Sequence, residues 1–228
     1  MVGPYRCSLA VESALLRIAP EGDALWRRAL AVELQGAVVN TLSTQDLLLH
    51  LCVHGTKHAW TSLTWILDLA ALISCNPGLE WPAIVAEANS QGGRRLLLLG
   101  LYLAHDLLGG AVPENLIALE GNDRVILRLA AEVKQRMFGN IGARANVLQE
   151  WIVPTLAIES FRGGISYLAA RALAPTIDDW RYVQLPRLFF ALYYVLHPAR
   201  LAFVQGPRLI RALLGRPAPD TPANEGAF

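Results

Sequence analysis

The chain has 228 residues, of which 54% are hydrophobic and 17% charged, with a formal net charge of +1. That composition excludes a disordered chain and leaves no global charge to call for nucleic acid. Three scattered cysteines (Cys7, Cys52, Cys75) without a CxxC exclude a disulfide framework or zinc knuckle and fit reduced thiols in a cytoplasmic protein.

No basic segment followed by an apolar stretch opens the chain, so no signal peptide is expected. Apolar runs such as LFFALYYVL (188–196) reach about half of the roughly 20 residues that a membrane span needs. Residues 5–18 read as partly extended, with Glu12 interrupting an apolar centre. EGDALWRRA (21–29) suits a short helix, and LAVELQGAVVNTL (30–42) reads as two short strands around Gln35-Gly36. Alone, so few strands need a partner layer.

From Ser43 the pattern is helical. Ser43 is a good N-cap, with Asp46 placed to approximate a capping box. Thr61 and Ser62 can cap a second helix over roughly 62–75. WPAIVAEANSQGG starts a third with Pro82 in its first turn and stops it at Gly92-Gly93. RRLLLLGLYLAHDLL (94–108) is a strongly apolar fourth, closed by Gly109-Gly110. Further helices are expected at about 122–138, 145–158, 160–173, 186–196 and 199–214. The expected organisation is an α/β segment over 1–42, a helical domain over 43–214 and a disordered tail over 215–228.

The densest stretch is LCVHGTKHAWTSLTWILDLAAL (51–72). His54 and His58, at i and i+4, share a helical face as two zinc ligands would, but the adjacent glutamate of a zinc protease is missing. His50 is too far along the axis from His58 for both to bind one ion, so another ligand would have to come from elsewhere. A second reading makes 43–59 and 62–75 an antiparallel hairpin with a polar seam. Asp68 then reaches His54 or Lys57, Gly55 lets the backbones approach, and Trp60 and Trp65 fill the turn. In a third reading His54, Lys57 and His58 line a cleft and meet phosphate oxygens while a tryptophan stacks on a base.

The order of residues in LSTQDLLLHLCVHGTKHAWTSLTWILDLAALI (42–73) resembles an uncharacterised bacterial nucleotidyltransferase family, a distant branch of the DNA polymerase beta-like superfamily. LWRRALAVELQGAVVNTLS (25–43) and DDWRYVQLPRLFFALYYVLHPARL (178–201) agree with it, the latter through an aspartate-tryptophan and a proline-arginine pattern. The resemblance implies a mainly α fold: a helical bundle preceded by a small α/β remnant of a palm domain. It implies that complete relatives transfer a nucleoside monophosphate from a nucleoside triphosphate to an unknown acceptor, using magnesium held by paired carboxylates. It also implies a nucleotide or acceptor surface at His54, Lys57, His58 and Trp60, and a metal-binding carboxylate at Glu12. The alternative for Glu12 is an exposed strand glutamate.

The family's Gly-Ser turn and strand-borne D-x-D or D-x-E pair are absent from this sequence, because Asp178 and Asp179 are adjacent and lie late in the chain. The pair is expected upstream of Met1, so the chain is expected to be truncated and inactive alone, with a partner covering its open N-terminal sheet. The alternative is a non-catalytic helical interaction module in which His54 and Asp68 form a structural seam. The arginine-bearing end (185–216) reads either as bundle helices with snorkelling arginines or as a face for an anionic membrane surface. No stripe is basic enough to argue for a nucleic-acid site.

Overall fold

The computed structural model describes residues 22–139 and 146–213. Glu12, the extended stretch expected at 5–18 and the tail at 215–228 lie outside them. Helix α1 (Gly22–Arg28) leads into an antiparallel ribbon of β1 (Leu30–Leu34) and β2 (Ala37–Thr41), paired from Leu30 opposite Thr41 to Leu34 opposite Ala37. Gln35 and Gly36 both have positive φ, 52° and 81°. Two left-handed residues in a two-residue loop match the right-handed twist of the strands. Leu30, Val32, Leu34 and Val39 lie on one face of the ribbon, and all four are exposed.

Helices α2 (Thr44–Lys57), α3 (Leu63–Cys75), α4 (Trp81–Ser90) and α5 (Arg94–Leu108) follow at nearly the expected bounds. Their signals work as local chemistry predicts. The Ser43 and Ser62 hydroxyls accept from the Asp46 and Thr64 N–H groups, Pro82 stands in the first turn of α4, and Gly109 ends α5 in a left-handed conformation at φ 66°. Helix α5 buries Leu96, Leu97, Leu98, Leu99, Leu101 and Leu103, so it is apolar nearly all round and sits at the centre, packed against α2 and α3.

The remaining elements are α6 (Glu114–Asn122), α7 (Arg124–Phe138), α8 (Asn146–Ala157), α9 (Phe161–Leu173), α10 (Ile177–Tyr182), a 3₁₀ helix (Arg187–Leu192) and α11 (Tyr193–Leu213). The fold is mainly α with a small α/β part. Three details depart from the expectation. Helices α6 and α10 are additional, and α11 runs through Pro198 where a break was expected. A proline in a helix forfeits one backbone hydrogen bond. Here its neighbours His197 and Arg200 are both tied to Asp179 of α10, which holds the helix across that point.

Arg28 fastens the N-terminal part to the bundle. Its Nε and Nη2 donate to the two carboxylate oxygens of Asp46 at 3.0 and 2.7 Å, and Ser43 Oγ donates to the same carboxylate at 2.5 Å. The bidentate pair raises the Arg28 pKa, chiefly through the hydrogen bond to Asp46. The capping residue expected at Asp46 thus also serves as the anchor for α1.

Candidate functional site at the end of helix α2

Residues HGTKHAW fold as a helix terminus with a specific hydrogen-bond pattern. The Ala59 N–H donates to Thr56 O at 2.8 Å, and the Trp60 N–H donates to Gly55 O at 2.7 Å. This is a Schellman end, which needs a left-handed residue after the cap. That position usually holds glycine, but here it is Ala59 at φ 51°, followed by Trp60 also at φ 51°. Left-handed backbone costs a non-glycine residue about 1–2 kcal/mol, so the surrounding packing must hold it.

Trp60 supplies that packing. It is 0% exposed, and its Nε1–H donates to Thr56 Oγ1 at 3.3 Å. A β-carbon on Gly55 would stand 2.4 Å from the indole, and one on Gly100 of α5 would stand 3.2 Å from it. The two glycines therefore make the slot in which the ring sits. From α7, Arg136 Nη1 donates to Ala59 O at 3.2 Å, placing a cation at the carboxyl end of α2, where the helix dipole favours one.

The histidines lie on the outward side of the same helix end. His50 and His58 are exposed and His54 is half-buried. Ring centroids are 6.0 Å apart for His50 and His54, and 4.8 Å for His54 and His58. Trp65, half-buried in α3, closes the group at 5.3 Å from both His54 and His58, edge-on to the former. Lys57 is half-buried next to them in sequence.

The structure thus brings together His50, His54, His58 and Trp65. Trp60 lies beneath them in the core. Asp68, read as the partner of His54 across the seam, is exposed on α3, and the α3 ring that meets His54 is that of Trp65, one turn earlier. Among the described residues no group of three or more His, Cys, Asp or Glu side chains converges as a metal ion would require. Among the described residues magnesium therefore has no fitting donor set, and Glu12 lies outside them.

Residues 9–109 match the model of an uncharacterised nucleotidyltransferase family. No curated protein and no solved structure matches the chain. The nucleotidyltransferase match includes α1, the β-ribbon and α2 to α5, so the histidine group and the Trp60 slot both fall within it.

An open groove of about 650 Å³ also lies within the nucleotidyltransferase match, between the start of α2 and the α3–α4 loop. Arg28, Ser43, Thr44, Cys75, Asn76 and Glu80 contribute to its walls. The Arg28 guanidinium is already engaged by Asp46, which leaves the exposed Glu80 as the other charged side chain in the groove wall.

Beyond the match, α9, α10 and α11 are joined by a polar cluster that sequence reasoning had noted only as an aspartate-tryptophan and a proline-arginine pattern. Asp179 and His197 are 3% and 2% exposed. His197 Nδ1 donates to Asp179 Oδ2 at 2.7 Å, and Arg200 Nε donates to Asp179 Oδ1 at 2.5 Å. Thr176 N–H and Oγ1 add donors to Oδ2 at 2.6 and 3.0 Å. Burial would push the Asp179 carboxyl up, but the Thr176 N–H and the Arg200, His197 and Thr176 side chains outweigh it and hold it below the usual carboxylate range.

The His197 Nε2 faces Arg171 O at 3.1 Å, so both ring nitrogens meet acceptors. The cluster is therefore a clasp between helices. Its sequence signal was spread over positions 171 to 200, and only the fold collects it.

Proposed function

We propose that this chain is a nucleotide-handling protein of nucleotidyltransferase type, with the exposed end of α2 forming part of a nucleotide or acceptor surface. The observation that carries this is the grouping of His54, His58 and Trp65, beside Lys57, inside the family-matched region. Lysine and imidazole are donors suited to phosphate oxygens, and a half-buried indole offers a face for a base. Trp60 acts from beneath by fixing the helix end that presents them.

In complete relatives the reaction is transfer of a nucleoside monophosphate from a triphosphate to an acceptor. This chain is inactive alone, a reading supported by the lack of a Gly-Ser turn and a D-x-D or D-x-E pair in its sequence. It works in the cytoplasm, where nucleoside triphosphates are available.

Calorimetric titration with ATP, with and without magnesium, tests the surface. A variant with Lys57→Met and His58→Ala is expected to bind at least about tenfold more weakly than the parent, a loss of about 1.4 kcal/mol. Equal binding by both proteins would remove these residues from the role. Turnover of a nucleoside triphosphate by this chain alone would overturn the claim of inactivity.

A further inference from the structure

The most exposed apolar surface among the described residues is not at the α2 end. It lies on the 3₁₀ helix and the first half of α11, where Leu188 is 92% exposed and Phe203 is 81% exposed. Leu192, Val195 and Ala202 lie between them, all exposed and recurring at helical spacing. The opposite face of α11 packs inward through Tyr193, which is buried and bonds to Val183 O, and through His197 in the Asp179 clasp. The helix is therefore amphipathic in an inverted sense, with its polar anchors against the protein and its oily stripe towards solvent. A helix that packs by a polar clasp and leaves leucine and phenylalanine outside has its apolar face reserved for something else.

Charge indicates what that something is. Residues 180–219 contain six arginines and no aspartate or glutamate. Arg181, 70% exposed and at 3.8 Å from the exposed Asp178, stands beside the exposed Tyr182 just before the stripe, and Tyr194 is exposed along it. Within residues 188–207 the sole Asp, Glu, Lys or Arg is Arg200, which is committed to Asp179. An uncharged apolar stripe with tyrosines at its border, in a segment whose sequence carries arginines and no acid, suits a helix lying in the headgroup region of an anionic bilayer. A second copy of the chain is a poorer occupant. A two-fold contact would bring two acid-free, arginine-bearing segments together with no carboxylate between 180 and 219 to answer them.

We propose that the 3₁₀ helix and α11 form a membrane-surface docking face for anionic lipid. The chain would rest on the bilayer without crossing it, since no helix among the described residues is long and apolar enough to span a membrane. This inference is independent of the nucleotide surface, which lies at the end of α2.

Flotation of the full chain with vesicles tests it. Vesicles of phosphatidylcholine alone are compared with vesicles of phosphatidylcholine and phosphatidylglycerol in equal parts. The expected result is binding to the mixed vesicles at least about tenfold tighter than to the neutral ones, weakened by salt. Leu188→Asp and Phe203→Asp should each lower that binding about tenfold while leaving the melting temperature unchanged, since both side chains are in solvent. Failure to float with the mixed vesicles overturns the proposal, as does equal binding to both compositions. A parent chain that sediments as a dimer and becomes monomeric on Leu188→Asp also overturns it, by identifying a second copy as the occupant.

Discussion

The indole of Trp60 occupies the space where a side chain on Gly55 would stand, and the carbonyl of that same Gly55 accepts the Trp60 N–H. One residue pair thus closes helix α2 through both backbone and packing. The glycine and tryptophan of HGTKHAW are explained by that closure before any ligand is considered, which sets them apart from the motif's histidines and lysine, none of which is fully buried.

Gly55→Ala tests the closure. The new methyl would meet ring atoms at 2.4–2.5 Å in a site walled by α5, so the helix end must shift. Overpacking of this kind costs about 1–3 kcal/mol, and the gain in helix propensity offsets up to about 1 kcal/mol of it. Urea denaturation should show a net loss of stability. The double variant Gly55→Ala with Trp60→Leu should lose less than the two single losses added, because the clash disappears with the indole.

Asp179→Asn probes the clasp. Removing the carboxylate leaves Arg200 without its counter-charge and the buried His197 without its carboxylate acceptor, a change that typically costs about 3–5 kcal/mol. The pH dependence has a definite sign. Because the folded state holds the Asp179 carboxyl below its ordinary value, its contribution to stability is complete above the unfolded pKa of about 3.9 and is lost as pH falls through the lower folded value. The parent should therefore lose stability steeply below about pH 4, and Asp179→Asn should show a shallower slope there. Equal slopes would mean that other carboxylates dominate the acid limb.

Arg28→Met separates anchoring from folding. The guanidinium is the bidentate partner of a carboxylate that is almost fully buried, so Asp46 would be left with Ser43 as its remaining described side-chain donor. The expected cost is about 1–3 kcal/mol for the unmatched buried group. Limited proteolysis should also become faster between residues 29 and 43, while α5 stays protected. Uniform acceleration along the chain would show that α1 and the ribbon are integral to the bundle.

Much of this architecture was legible because its signals are local. Ser43, Ser62, Pro82 and Gly109 each act within one helical turn, and the bounds of α2 to α5 follow from them. Helix α10 carries a local signal too, a capping box of Thr176 and Asp179, but its six residues are too few for an apolar period to show. The run of α11 through Pro198 was missed because the ties that hold it, from His197 and Arg200 to Asp179, reach across about twenty residues. At the candidate site the grouping of histidines at 54 and 58 was visible from spacing. That Trp65 meets them while Trp60 turns inward depends on two successive left-handed residues at 59 and 60, which no propensity of alanine or tryptophan announces.

The Gln35-Gly36 turn has a kinetic consequence. Its two positive φ values fix strand register within a dozen residues, so the β1–β2 ribbon can close on the microsecond scale of isolated hairpins. The core around α5 waits for that helix to meet α2 and α3, which precede it by at least one whole intervening helix, and α7, which follows after another. During that interval the ribbon already displays Leu30, Val32, Leu34 and Val39 on a single side. Synthesis at high concentration should therefore favour edge-to-edge self-association through this ribbon, and a lysine at Val32 should act as the gatekeeper that suppresses it.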